Sequence, residues 1–575
     1  MRDSLSLEAV GPSPPRPVWR GVSGQAWTLI VVATAGAVAL PVLVVFSRLL
    51  APSGGVWAHL AATVLGEYVA NTALLALGVG VGVLLIGVAT AWLVTMCSFP
   101  GRTWFTWLLL LPLAVPTYIV AYTYTDLLQY SGPLQTTIRD AFGWSRTDYW
   151  FPEIRSLSGA VVVMSLVLYP YVYLLARAAF LEQSVCALDA GRTLGRSAWG
   201  CFIGVAVPLA RPAIAGGVAL ALMETLADFG TVQHFGVPTF TTGIYRTWFA
   251  LGEPVAASQL AAVLMLFVML VLVLERASRG RARYEHTSAF RHAAPYRLRG
   301  ARALSAATAC ALPVLLGFLV PVLVLLEMTF AQGDRALGNR FVDLATNTFT
   351  LAALASGLAV VIALIIGYGV RLHATPPMRI AARIAGLGYA VPGAVIAIGV
   401  LIPFARFDNA LDAWMESVFG ISTGLLLTGS LLILIFAYLV RFLAVALNAV
   451  ESGLGKINRN LDDAARVLGA GRTGTLIRVH LPMLSASVLT GAIMVFVDVL
   501  KELPATLILR PFDFETLAVR VYRFASDERL AEASTAALAI VLVGLIPVIL
   551  LSRAIARSRP GEGTVPPPDL PMVQG

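Results

Sequence analysis

The chain has 575 residues, of which 58% are hydrophobic and only 13% charged, and its mean hydropathy is +0.81. This composition excludes a conventional multidomain soluble protein. The formal net charge of +9 does not indicate nucleic-acid binding, because the basic residues cluster in loops between apolar segments. Those segments recur at lengths of about 20 residues, enough to cross a hydrocarbon core of about 30 Å. Since helices satisfy every backbone polar group in lipid, we predict an all-α polytopic membrane protein.

The predicted elements form two groups of six spans. Residues 1–26 are Pro-rich and basic, which indicates a cytoplasmic N-terminal segment. The first half, 27–274, has predicted spans at 27–50, 68–96, 104–128, 157–181, 209–229 and 255–274. The second half, 303–555, has predicted spans at 303–330, 347–371, 379–405, 423–447, 483–503 and 533–553. Between them lies a linker, 275–302, with eight arginines and two glutamates, and a Pro/Gly-rich tail at 556–575 is expected to be disordered.

The basic residues also predict the orientation in the membrane. Loop 51–67 has no Lys or Arg, whereas the linker is strongly basic. With about 12 spans, this pattern places both termini, the linker and two polar loops at 182–208 and 451–482 in the cytoplasm. Four arginines in the loop at 504–532 run against this orientation, but the two polar loops determine it more strongly.

The two polar loops are copies of one pattern. Three landmarks recur at an offset of 274 positions: Asp189 with Asp463, Gly195 with Gly469, and Pro208 with Pro482. Asn-Thr and Ala-Val-Pro motifs inside the spans recur at an offset of 276. An even number of spans separates the copies, so the repeats are parallel and predict a pseudo-two-fold axis along the membrane normal. Each loop is predicted to form a helix, a left-handed turn at its glycine, and a second helix that stops near its proline.

This pattern resembles the EAA loop of importer-type ABC transporter permeases. Both copies have Asp where that family most often has Glu, and the first copy has Gly in place of the second Ala. The resemblance implies type I importer architecture and implies that each loop docks on one subunit of a cytoplasmic ABC ATPase dimer. The residues that it implicates are Asp189, Ala190, Gly191, Gly195, Pro208, Asp463, Ala464, Ala465, Gly469 and Pro482. The chain has no G-x-x-x-x-G-K-[ST] phosphate loop, so we expect a transport subunit that is not an enzyme and has no cofactor, with ATP hydrolysed by the separate ATPase.

Ionisable residues inside spans are candidates for function. The fifth span of each half ends in two acids four positions apart, Glu224 with Asp228 and Asp498 with Glu502, and Lys501 lies beside the second pair. In a continuous helix each pair would share one face, about 6 Å apart along the axis. Such acids need water, a cation, a shared proton or a basic partner. They are either part of a translocation pathway or polar contacts between the halves.

The same segments, 223–236 and 498–518, resemble the fused two-domain ferric-iron uptake permeases. The resemblance extends over most of residues 60–555 and implies an inner-membrane permease that receives ferric iron from a periplasmic substrate-binding protein. Ferric iron suits oxygen ligands, which span tyrosines could add to the acids: Tyr118, Tyr122, Tyr124, Tyr169, Tyr171 and Tyr173. Thiamine, phosphonate, polyamine or an oxyanion remains an alternative cargo. An ion-coupled secondary transporter and a membrane scaffold remain alternatives of another class.

Overall fold

The computed structural model describes residues 22–182, 193–195, 197–279, 296–331, 339–373 and 375–557. Its helices in the first half are α1 Val22–Ser47, α2 Val56–Thr63, α3 Leu65–Met96, α4 Arg102–Leu108, α5 Thr117–Leu128, α6 Pro133–Phe142, α7 Leu157–Glu182, α8 Ala198–Cys201, α9 Val207–Ala227, α10 Gly230–His234, α11 Phe240–Tyr245 and α12 Pro254–Arg279. Those in the second half are α13 Ala301–Val314, α14 Val320–Ala331, α15 Asn339–Leu372, α16 Pro376–Ala385, α17 Gly393–Phe419, α18 Leu431–Lys456, α19 Asn460–Val467, α20 Arg472–Thr475, α21 Leu481–Leu500, α22 Pro504–Leu509, α23 Leu517–Ser526 and α24 Leu530–Arg557.

Short irregular helices and one strand pair complete the described part. The 3₁₀ segments are Arg48–Leu50, Leu111–Ala114 and Gly388–Ala390, and the π segments are Phe202–Ala206, Arg246–Ala250, Leu315–Leu319 and Leu476–His480. Strand β1, Cys97–Ser98, pairs in parallel with β2, Tyr296–Arg297. This pair joins the end of α3 to the C-terminal end of the linker.

In this part of the chain, 11 helices are long and apolar enough to cross a membrane, and the count is 12 if one bent pair is a single span. The bent pair is Arg102–Ala114 with Thr117–Phe142, which meet at 89°. The predicted continuous span at 104–128 is therefore wrong. Its counterpart at 379–405 is wrong as well, because α16 ends at Ala385 and the span begins at Gly393.

Both breaks have the same cause, the repeated Ala-Val-Pro motif. Proline disfavours helical geometry in the residue before it. Val115 is extended at φ −103°, ψ 121°, and Val391 is extended at φ −83°, ψ 124°. The chain then re-enters a helix directly after Pro116 and Pro392. Each half thus has a broken helix at the same point of its repeat.

The first span of each half packs against the other half. In the second half, a Cβ on Gly399 would overlap the carbonyl of Pro41 in α1, and a Cβ on Gly317 would overlap the carbonyl of Leu166 in α7. The Tyr124 hydroxyl also donates to the Leu316 carbonyl at 2.6 Å. Glycine allows these close backbone approaches between helices. The two sequence halves are thus interlocked by exchange of their first spans.

Candidate transport cavity and docking loops

A cavity of about 90 Å³ lies where the two broken helices meet the ends of α9 and α21. It brings together all five predicted pathway residues and adds a basic and an aromatic side chain from the second half. Its polar lining consists of Glu224, Asp228, Asp498, Lys501, Glu502, Arg441, Tyr389, Tyr118, Tyr171 and Thr117. The cavity is therefore built from both halves.

The first-half carboxylate Asp228 is held by neutral donors. Helix α9 ends at Ala227, and Asp228 turns away in an extended conformation. Its Oδ1 accepts from the backbone N–H groups of Thr231 at 2.9 Å and Val232 at 3.3 Å. Its Oδ2 accepts from the hydroxyls of Thr117 at 2.7 Å and Thr231 at 3.0 Å. Asp228 thus fixes the first turn of α10 against the start of α5.

The second-half counterpart, Glu502, is held by a cation. Helix α21 ends at Leu500, and Glu502 lies 3.1 Å from Arg441, with both side chains less than a tenth exposed. Glu502 Oε1 also accepts from the backbone N–H of Ala505 at 3.0 Å, in the first turn of α22. A Cβ on Gly393, at the start of α17, would overlap this ion pair. Glu502 therefore accepts a backbone N–H from the next short helix, as Asp228 does, but its other partner is the Arg441 guanidinium.

The remaining two acids also have partners. Glu224 Oε1 accepts from the Tyr389 hydroxyl at 2.7 Å, a contact between the two halves. Asp498 forms an ion pair with Lys501 at 2.9 Å. The prediction that each acid pair shares one helical face is wrong, because both helices end between the paired acids. The first acid of each pair belongs to the span, whereas the second stabilises the next short helix.

The docking loops contain matched left-handed turns. Gly195 has φ +78° and Gly469 has φ +79°, a region that glycine enters without steric cost. Just before each glycine is a leucine, Leu194 at 80% and Leu468 at 86% exposed. Because an exposed leucine recurs at the equivalent position of both loops, Leu194 and Leu468 are candidates for contact with a partner.

The described part of the loops also corrects one expectation. Asp463 and Ala464 are exposed and Ala465 is buried, while Asp189, Ala190 and Gly191 lie outside the described residues. The second helix of each loop does not stop near its proline. Pro208 and Pro482 are each the second residue of the helix that follows a π segment, and the N–H of the residue before each proline bonds five residues back. A proline lacks only its own N–H and is accommodated in the first turn of the next helix, so each loop helix continues into a span.

Comparison with known proteins decides the family. Residues 359–559 match the family described as binding-protein-dependent transport system inner membrane component. The chain is 26% identical to the Fe(3+)-transport system permease protein FbpB 2 of Haemophilus influenzae, over 85% of this chain and 90% of the relative. It is 29% identical to the molybdenum transport system permease protein ModB of Escherichia coli, over 34% of this chain and 87% of the relative. These matches support an ABC permease with two fused halves and a ferric-type architecture.

Similarity extends to solved structures of transporters. A chain of the bacterial alginate ABC transporter, crystallised with an alginate-bound periplasmic protein, gives a TM-score of 0.35 at 16% identity. The match covers 44% of this chain and 94% of the alginate-transporter chain.

The permease does not assemble a ready-made metal centre in its described part. No group of three His, Cys, Asp or Glu side chains is arranged there to hold a metal ion. Of the six predicted tyrosines, Tyr118 and Tyr171 line the cavity. Tyr124 and Tyr173 instead donate to the backbone carbonyls of Leu316 and Thr106. Tyr122 and Tyr169 are buried and do not line the cavity, so two of the six tyrosines could contact a cargo there.

Sequence reasoning missed three cavity residues of the permease, Arg441, Tyr389 and Thr117. Arg441 carried a usable signal, since it is a charged residue in the middle of the apolar span Leu431–Lys456. Thr117 follows the repeated Ala-Val-Pro motif, but its role depends on the break in the helix. Tyr389 is an ordinary aromatic residue in the sequence and only the fold identifies it.

The arginines of loop 504–532 have partners among the described residues of the permease. Arg523 is paired with Glu515, and Arg529 lies 2.6 Å from Glu532. Arg510 donates to the Phe514 carbonyl at 3.0 Å. Glu528 in turn pairs with Arg155 of the first half at 3.0 Å. Burial, with Arg155 nearby, lowers the pKa of His234 to about 4.

Proposed function

We propose that this permease is the transmembrane subunit of an ATP-driven importer that moves ferric iron, delivered by a periplasmic substrate-binding protein, across the inner membrane. The observation that carries the cargo assignment is the charge of the cavity between the halves. Four carboxylates and two basic side chains line it, so its formal charge is −2 when all are ionised. A net negative lining favours a cation over an anion.

The relatives support the same cargo without settling it. FbpB 2 is named for Fe(3+) transport and matches over most of both chains. ModB is named for molybdenum transport and covers a third of this chain. An oxyanion is therefore the second candidate cargo, and the acidic lining argues against it.

The pathway proposal assigns different roles to the acids. Glu224 and Asp498 belong to the ends of equivalent spans and face one cavity across the two halves. We assign the contact with the cargo to these two residues. Asp228 and Glu502 are engaged with backbone N–H groups of short helices, so we assign them to shaping the cavity. Lys501 balances the charge of Asp498.

The energy source in this proposal is a separate ATPase dimer that contacts the two polar loops. Exposed Leu194 and Leu468, each beside a left-handed glycine, supply equivalent apolar contact points. This arrangement supports two docking positions, one per ATPase subunit. The proposal also places both termini, the linker and both loops in the cytoplasm and retains the domain limits 27–274 and 303–555.

Reconstitution tests the cargo and the pathway together. The permease, its ATPase and its binding protein are placed in proteoliposomes, and uptake of radioactive iron and of molybdate is measured with ATP. We expect iron uptake and no molybdate uptake. Changing Glu224→Gln together with Asp498→Asn should lower iron uptake at least about tenfold, since the two remaining acids are then balanced by Lys501 and Arg441 and the lining has no net negative charge to attract a cation. Exposed acids give the matched control, Glu67→Gln with Asp513→Asn, which should transport normally.

Three results would contradict the proposal in different ways. Molybdate uptake would show that the cargo is an oxyanion and not ferric iron. Normal iron uptake by a well-folded Glu224→Gln, Asp498→Asn variant would remove these acids from the pathway. Uptake driven by a proton gradient without ATP would favour the secondary-transporter alternative.

A further inference from the structure

A buried charged network lies directly behind the second docking loop. Asp462, in helix α19, contacts two residues from different membrane-spanning elements. Its Oδ2 accepts from Nε of Arg371 at 2.9 Å and lies 2.9 Å from Nη2 of the same guanidinium. Its Oδ1 lies 2.5 Å from Nε2 of His480. The side chains of Arg371, Asp462 and His480 are 10%, 14% and 1% exposed, so this network is largely shielded from solvent.

Arg371 connects the docking helix to two spans. It is the second-last residue of α15. Besides Asp462, it donates from Nη1 to the Leu454 carbonyl at 2.6 Å and from Nη2 to the Ile457 carbonyl at 3.0 Å. These carbonyls lie at the C-terminal end of α18, where a cation is favoured by the helix dipole. One guanidinium therefore holds α15, α18 and α19 in a fixed relation.

His480 connects the docking helix to a third span. It is the last residue of the π segment Leu476–His480, which leads into α21. Its ring packs edge-on against Tyr368 of α15, with centroids 5.4 Å apart. Its contact with Asp462 lacks the linear geometry of a hydrogen bond, and its Nδ1 has no hydrogen-bond partner among the described residues. α21 carries Asp498 at its other end, so the network and the cavity share a helix.

The first docking loop cannot form this network. At the repeat offset of 274, Asp462 corresponds to Leu188 and His480 corresponds to Ala206. At the offset of 276 that aligns the preceding spans, Arg371 corresponds to Thr95, the second-last residue of α3. All three ionisable side chains are therefore replaced by uncharged ones. The left-handed glycines of the two loops match, but the residues that form this network in the second loop are not repeated in the sequence of the first.

We propose that Arg371, Asp462 and His480 are positioning residues that transmit motion from the second docking loop to spans α15, α18 and α21. This inference rests on the proposed docking of an ATPase at the loops. A charged, multiply bonded network resists displacement of α19 relative to the spans, because breaking it leaves buried charges without partners. In this proposal the three ionisable side chains couple the second loop to the membrane helices, and the first loop has uncharged residues at the equivalent positions.

The test compares variants that give the second loop the side chains of the first. The variants are His480→Ala and Asp462→Leu, and His59→Ala, at an exposed position of α2, is the matched control. The reconstituted transporter is assayed for bound ATPase, for ATP hydrolysis and for iron moved per ATP hydrolysed. We expect the ATPase to remain bound while the iron moved per ATP falls at least about threefold, within the range of energetic coupling between sites in one protein. The control should match the unchanged protein.

Two conservative variants of Asp462 distinguish a role in coupling ATP hydrolysis to transport from a simple loss of folding. Asp462→Asn keeps the shape but removes the charge, and Asp462→Glu keeps the charge on a longer side chain. We expect Asn to lower the iron moved per ATP and Glu to recover part of it, at equal amounts of assembled complex. A purely structural role would instead lower the amount of complex and leave the ratio unchanged.

Failure of this inference can be distinguished from failure of the proposed function. If the unchanged permease neither binds an ATPase nor requires ATP, the proposed function is wrong. If it does both, and His480→Ala and Asp462→Asn move as much iron per ATP as the unchanged protein, the positioning role is overturned.

Discussion

The two turns that follow α9 and α21 perform one structural task with different chemistry. In each half the span ends, an acid follows, and its carboxylate accepts N–H groups from the first turn of a short helix. In the first half the other donors to Asp228 are threonine hydroxyls. In the second half the partner of Glu502 is the buried guanidinium of Arg441. The repeat thus conserves the acceptor that the backbone needs, while the partner differs.

The comparison distinguishes the need for an acceptor of backbone N–H groups, which both halves share, from the charge of the cavity, which depends on the partner of each acid. An acceptor at this point of the repeat is needed because the new helix begins with unsatisfied N–H groups. The charge balance of the cavity depends instead on which partner each acid has. The first half contributes two acids and no base to the lining, whereas the second contributes two acids and both bases. The acidic character of the cavity therefore comes from the first half.

The largest effect is expected where the halves are most alike, at the left-handed glycines. Changing Gly195 or Gly469 to Val forces a β-branched side chain into a region that costs an ordinary residue about 1–2 kcal/mol, and more when branched. Each loop should lose its turn, and pull-down should recover little or no ATPase from either variant. Because the two φ values differ by only one degree, equal losses are expected.

Gly471→Val is the control for that experiment, since a Cβ at Gly471 meets open space and its φ is not left-handed. It should retain the ATPase. Full retention by Gly195→Val with loss in Gly469→Val would show that only the second loop docks.

The next effect compares the two carboxylate turns directly. Arg441→Met should destabilise the permease by about 3–5 kcal/mol, because Glu502 is left buried and unpaired. Thr117→Val should cost about 1 kcal/mol, because it removes one of four hydrogen bonds to Asp228. Thermal unfolding in detergent measures both. Similar losses in the two variants would show that the guanidinium has no greater structural weight than the hydroxyl.

The sequence predicted much of this architecture and failed at specific points. The repeat offsets located the loops, the acids and most spans, because hydrophobic length and repeated landmarks are local signals. The breaks at Val115 and Val391 were missed although the proline beside each was visible, since the length of the apolar runs outweighed it. The direction of Asp228 and Glu502 could not be predicted, because it depends on where α9 and α21 end.

A third comparison is between a tyrosine hydroxyl that bonds the other half of the permease and one that bonds its own half. Tyr389→Phe removes the hydroxyl that donates to Glu224 of the other half, and Tyr438→Phe removes one that bonds Thr506 of the same half at 2.6 Å. Each should cost about 1 kcal/mol of stability. We expect only Tyr389→Phe to change iron uptake, by about two- to threefold, because it alone biases how the halves sit against each other. Equal uptake by the two variants at matched protein levels would contradict this.

The smallest effect is expected at an ion pair between the halves, Arg155 with Glu528. It has the same 3.0–3.1 Å separation as the Arg441–Glu502 pair, but its side chains are 37% and 69% exposed instead of buried. Water and salt screen such a pair, so Arg155→Gln should cost no more than about 0.5 kcal/mol. The melting temperature in detergent should fall slightly at low salt and match the unchanged protein at about 1 M salt, where the screening length is about 3 Å. A large drop that persists at high salt would mean that this pair holds the halves together as firmly as a buried pair, and distance rather than burial would then govern both contacts.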